Sequence, residues 1–274
     1  LAAIETLWSL LSPRLAPTNE DWKRAAGVVR AHYRPGDLLV AAPSWADPLL
    51  RTYLGDLIPI PVAARMDDAR YGRIWEIGQR GDHADEAHGA VAFDEMAGHL
   101  RVRLLERTAL PVHYDFVERW RDAQVVRWDL ASRAPLRCAL NVRGDGVACA
   151  GNDLAVSQAL VEVDTRIRRA VLAPPEAGAL LAVEYPAVPL GKELAVRTGL
   201  HDVWARKYAT GTVYLKVLVD GRPVIEVVTG NRSGWLASRA DTRAWEGKTA
   251  RVRFEISSSA PALRHFAFAA ESRG

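Results

Sequence analysis

The chain has 274 residues, is 49% hydrophobic and 25% charged, and carries a formal net charge of +3. These values describe a globular protein, exclude a disordered one, and leave room for two domains of roughly 150 residues each. Only five of the 36 basic residues are lysine, so the excess is arginine spread along the chain. No aromatic-studded basic run marks a nucleic-acid surface, and no nucleic-acid partner is expected.

No apolar run reaches the roughly 18 residues that span a bilayer. Ile4, Leu7, Trp8, Leu11 and Leu15 share one helical face at a start that reads as processed or excised. Thr18 is placed to cap a helix whose first turn holds Glu20 and Asp21 and whose apolar face runs from Trp22 to Tyr33; Arg34-Pro35-Gly36 stops it. Leu38 to Ala42 is a continuous apolar run, the pattern of a strand covered on both faces. Asp47-Pro48 opens a second helix that Gly55 closes. Leu57 to Val62, with Pro59 and Pro61, reads as an edge strand or extended connector. Arg73 to Ile77 is a strand, 81–89 a polar loop, Ala90 to Gly98 a short helix, and Leu100 to Leu105 a strand. This α/β pattern predicts a first domain over 1–110.

After a short helical stretch from Tyr114 to Trp120 the pattern changes to closely spaced strands, predicting an antiparallel β-sandwich over 111–274. The expected fold is thus a two-domain α+β chain. Its strongest local signal is Thr212 to Thr229, a hairpin turning at Asp220-Gly221 with alternating apolar residues on both arms. Cys138 and Cys149 flank Gly144-Asp145-Gly146, a spacing that could set the sulfurs opposite each other across a hairpin; two free buried thiols are the alternative.

Asp82, His83, Asp85, Glu86 and His88 form the densest set of metal-ligand types, but neither zinc-finger nor metalloprotease spacing is present, so a solvated loop is expected and no metal or other cofactor. No G-x-S-x-G, phosphate-cradling glycine loop or H-E-x-x-H occurs, and no catalytic residue is assigned. The loop from Gly199 to Gly211 gathers His201, Asp202, Trp204 and Arg206, with Trp235 on a neighbouring loop. An aromatic plane beside charged groups is the chemistry that holds a sugar. The opposing reading makes Trp204 a cap on the core and Trp235 a core residue.

From Asp21 to Pro43, with Arg73-Ile74-Trp75 later, the chain resembles the start of the extracytoplasmic region of bacterial membrane glycosyltransferases of the dolichyl-phosphate-mannose mannosyltransferase type. Their catalytic acid lies between membrane helices, so no catalytic role carries over. Val217 to Val224, Ala250 to Ile256 and the final strand are similar to galactose-binding-like jelly rolls, which implies accessory carbohydrate binding. The first resemblance implies an extracytoplasmic, membrane-associated setting and tilts the cysteines toward a disulfide. The expected role is a non-catalytic recognition or assembly module for a glycan or lipid-linked sugar. Two alternatives stay open: a scaffold subunit docking on a membrane protein or larger assembly through Leu7, Trp8 and Leu11, and a glycan-active enzyme with dispersed paired carboxylates.

Overall fold

The computed structural model describes residues 16–58, 68–149, 155–164, 166–203, 211–231 and 234–274. The chain divides into two compact units that meet in sequence at Ala109 and Leu110.

In the N-terminal unit, helix α1 (Asn19–His32) starts with a capping box: Thr18 Oγ1 accepts the N–H of Asp21, and the Asp21 carboxylate accepts that of Thr18. These contacts, with His99, hold the Asp21 carboxyl well below the usual carboxylate range. Strand β1 (Leu38–Ala42) is buried at every position. Helix α2 (Asp47–Leu54) comes next; Asp47 is its first residue and accepts from Arg51 Nε at 2.6 Å, an ion pair within the helix. Strands β2 (Arg73–Gln79), β3 (Ala90–Ala97) and β4 (Leu100–Glu106) complete a sheet in the order β1-β2-β4-β3, with β1 and β2 parallel. Trp22, Val29, Leu50 and Leu54 of the helices pack on Trp75, Ile77 and Val102.

One expectation changes here. The segment from Ala90 to Gly98 is an edge strand, not a helix; its Ala, Glu and Met favour a helix locally, but pairing with β4 overrides them, and a bulge at Val91/Phe93 hides the alternation. The acidic loop before it is largely solvated, as expected, with Asp82, His83, Asp85 and His88 exposed, but it is anchored from beneath. The buried carboxylate of Glu76 accepts the Ala84 N–H at 2.7 Å and the Arg103 Nε–H at 2.8 Å, and Ala84 and Glu86 are buried. The connector expected from Leu57 starts in a short 3-10 turn (Gly55–Leu57) and continues outside the described residues.

The C-terminal unit contains β5 (Val112–Asp115), β6 (Gln124–Asp129), β7 (Pro135–Arg137), β8 (Ala139–Leu140), β9 (Val147–Ala148), β10 (Ala155–Val163) and β11 (Arg166–Leu172). It continues with β12 (Ala179–Pro189), β13 (Glu193–Leu200), β14 (Val213–Val219), β15 (Arg222–Thr229), β16 (Leu236–Asp241), β17 (Thr249–Ser258) and β18 (Phe266–Arg273). One sheet runs β16-β13-β18-β11-β10-β9-β8, with β5 also on β18; the other runs β15-β14-β17-β12-β6-β7. The chain as a whole is mostly β, and the described pairings of this unit are antiparallel, as the sequence predicts. Between the sheets lies an aromatic core in which Phe254 stacks on Phe268 at 4.4 Å and the buried Tyr185 hydroxyl donates to the Phe116 carbonyl at 2.9 Å. Burial pushes the Tyr185 phenol up.

The stretch read as helical from Tyr114 is instead the end of β5 and a turn, because the Asp115 carboxylate accepts the N–H groups of Val117 and Glu118. Cys138 sits where the chain leaves one sheet (β7) for the other (β8), and it is disulfide-bonded to Cys149, just beyond the β8–β9 pairing Ala139↔Ala148. The cysteines therefore face each other as their spacing suggests. Asp220 (φ 48°) and Gly221 (φ 80°) supply the two left-handed residues of the predicted hairpin turn.

Candidate functional site

The hairpin's arms are amphipathic in a simple way. Val213, Leu215, Val217 and Val219 of β14 are buried in the core, so by period-two alternation Tyr214 and Lys216 stand on the outer face of the six-stranded sheet. On β15 the outward residues are Glu226 and Val228, directly across from Lys216 and Tyr214.

Register carries the same level across the sheet. Tyr214 is opposite Ser257 on β17; Leu181 pairs Ile256, which sets Leu180 of β12 beside Ser257; Leu180 is opposite Trp128 of β6. One row therefore reads Val228, Tyr214, Ser257, Leu180, Trp128. The row beneath it begins Glu226, Lys216, Glu255 and continues to Ala182 and Val126. Tyr214 is 47% exposed. Over the β12 to β15 part of these rows lies an open groove of about 590 Å³ lined by Tyr214, Lys216, Leu180, Glu226, Glu255 and Ser257, among others, with Trp128 of β6 one strand beyond Leu180.

The charged groups of this face are held in pairs. Lys216 Nζ lies 3.1 Å from Glu226, and Arg253 reaches Glu184 at 2.8 Å and Glu255 at 3.4 Å. The carboxylates beside Arg253 raise its guanidinium pKa against the opposing effect of burial. Planar carboxylates and forked donors beside an exposed phenol can grip hydroxyl groups while the ring takes an apolar C–H face. A paired-carboxylate hydrolytic site fits less well, since the general acid needs a sheltered carboxyl and the Glu226 side chain is 65% exposed and already engages Lys216.

Trp204 and Arg206 lie outside the described residues. His201 follows β13, and its backbone N–H donates to the His265 carbonyl at 3.0 Å; Asp202 and Val203 are helical, not extended. The Trp235 indole N–H donates to the Arg166 carbonyl at 3.1 Å, and the ring lies so close to Gly199 that a Cβ there would meet it at 3.1 Å. Arg168 stands 5.8 Å from that ring. Trp235 thus packs on the eight-stranded sheet, away from the Tyr214 groove. Of the acidic loop, His83 Nδ1 is 3.3 Å from Glu76, and among the described residues no group of three or more ligand side chains is arranged to hold a metal ion.

The residues missed by sequence reading are Tyr214, Lys216, Glu226, Glu255 and Trp128. The alternation that places them was visible within the hairpin. What joined β6, β12 and β17 to it was not, because strand order and register are long-range properties.

No protein-family model and no curated protein matches the sequence. Among solved structures, the chain is similar over 73% of its length to the CBM51-2 and INT domains of Clostridium perfringens ZmpB, with 10% identity and a TM-score of 0.30. It spans about a third of that chain (33%). It is also similar to CBM51 from Clostridium perfringens GH95 in complex with methyl-galactose, over 61% of this chain and 95% of that one, with 10% identity and a TM-score of 0.29. The xylan-binding module CBM15 matches 45% of this chain and 87% of its own, with 8% identity and a TM-score of 0.26. These structural neighbours are carbohydrate-binding modules.

Proposed function

We propose that the C-terminal unit is a non-catalytic carbohydrate-recognition module and that its binding surface is the outer face of the six-stranded sheet. The observation that supports it is the exposed Tyr214 ring set beside the Lys216, Glu226 and Glu255 row over an open groove. A sugar offers an apolar face and a rim of hydroxyls, and the groove offers a partner for each. The Cys138–Cys149 disulfide supports an extracytoplasmic setting for the module. Association with a membrane glycosyltransferase is carried by the N-terminal resemblance, and among the described residues no helix is long and apolar enough to cross a membrane.

Tyr214→Ala and Trp204→Ala, each assayed on an array of immobilised glycans and by thermal melting, test this reading. Tyr214→Ala should weaken binding by about 1 to 3 kcal/mol, the range for an aromatic platform, with melting unchanged. Loss of binding in Trp204→Ala alone moves the site to the loop between β13 and β14. Turnover of any glycan by the native chain replaces the module with an enzyme.

A further inference from the structure

We infer that the groove takes an extended, uncharged oligosaccharide laid across the strands, in preference to a single sugar or an acidic polysaccharide. This rests on the recognition role of the Tyr214 face and adds the ligand's length and charge.

Length follows from register. Tyr214 and Trp128 occupy the same cross-strand level, with Ser257 of β17 and Leu180 of β12 between them. Three inter-strand steps at about 4.8 Å each separate the two aromatic positions by roughly 14 Å, more than one pyranose ring can bridge. The intervening side chains are short or apolar: Ser257 and Leu180 in that row, with Ala182 buried in the next. Trp128, part-exposed and one strand beyond the groove's lining, is thus a second ring that an extended chain starting at Tyr214 reaches and a monosaccharide does not.

Charge follows from pairing. The groove is lined by one ammonium, Lys216, and two carboxylates, Glu226 and Glu255. Lys216 is bonded to Glu226 at 3.1 Å, and the nearby Arg253 is shared by Glu184 and Glu255. The lining therefore carries no surplus positive charge to receive a uronate or sulfate, and an anionic chain would meet like charge. Neutral hydroxyls can bond to carboxylate and ammonium alike without breaking the pairs.

Titration calorimetry of the full chain tests this with neutral ladders of gluco-, manno- and galacto-oligosaccharides, from monosaccharide to hexasaccharide, and with an oligogalacturonate as the acidic arm. Affinity for one neutral ladder should rise about tenfold or more from monosaccharide to the longer members and then level off, with the acidic oligomer weaker than its neutral counterpart. Trp128→Ala should remove about tenfold of affinity for the long ligand and leave the short one unchanged, whereas Tyr214→Ala weakens both. Trp128→Phe, which keeps a ring, should restore the gain and shows whether the alanine variant failed by misfolding. A monosaccharide that binds as tightly as the hexamer, a silent Trp128→Ala, or tighter binding of the acidic oligomer overturns the inference while leaving recognition at Tyr214 intact. No binding in any arm, or binding that survives Tyr214→Ala, overturns both.

Discussion

The two sheets of the C-terminal unit share one core but present opposite kinds of outer surface. On β18 of the eight-stranded sheet the outward residues are Ala267, Glu271 and Arg273, exposed by 0%, 3% and 1%. On β14 and β15 of the six-stranded sheet the outward Tyr214 and Val228 are 47% and 54% exposed. The first face is built for packing: Ala267 clusters with Val161, Val163 and Ala170, and Trp235 seals against Gly199. The second keeps the amphipathic Tyr214 in water although β14 beneath it is paired on both sides. Stability and recognition should therefore separate between the two faces.

The largest effect is expected on the packed face. Arg273 pairs with Glu193 at 3.1 Å and with Glu271 at 3.3 Å, and both Arg273 and Glu271 are buried. Arg273→Met leaves those carboxylates without their guanidinium and should cost about 3 to 5 kcal/mol in denaturant titrations. A cost below about 1 kcal/mol would show that this face tolerates charge loss as a surface does, and the contrast would fail.

Next in size is the staple between the sheets. The Cys138–Cys149 bridge closes a separation of 11 residues where the chain passes from β7 to β8. Replacing both cysteines by serine should cost about 2 to 4 kcal/mol. Under native, non-reducing conditions both thiols should resist alkylation, and labelling of either would remove the support for an oxidising compartment.

Short-range features of this fold were legible in the sequence, and long-range ones were not. Thr18 as helix cap, Asp220-Gly221 as hairpin turn and the facing cysteines each depend on neighbours within a dozen residues, and local stereochemistry fixes them. The segment from Ala90 failed because a bulge broke its alternation and its partner strand, not its own composition, made it extended. The groove was hidden for a related reason: Tyr214 and Lys216 looked like the solvent side of a hairpin until register placed Glu255, Leu180 and Trp128 beside them. The loop at Gly199–Gly211 was conspicuous because its aromatic and charged residues are contiguous in sequence, whereas a site on a sheet collects one or two residues from each strand.

The smallest effect is the most discriminating. Lys216 and Glu226 form an ion pair whose side chains are 46% and 65% exposed, so water screens it and it adds little to stability. Glu226→Gln should shift the unfolding free energy by less than about 0.5 kcal/mol, and raising the salt concentration should shrink even that difference. Binding answers differently. If the Glu226 carboxylate accepts from sugar hydroxyls, the amide offers one acceptor oxygen in place of two and frees Lys216 from its partner, so affinity for a neutral glycan should fall several-fold while an acidic one gains. This is the reverse of the pattern expected at Arg273, where stability falls and the groove is untouched. A Glu226→Gln protein that melts early, or binds neutral and acidic glycans as the parent does, would place the six-stranded face with the packed one and end its claim to be the recognition surface.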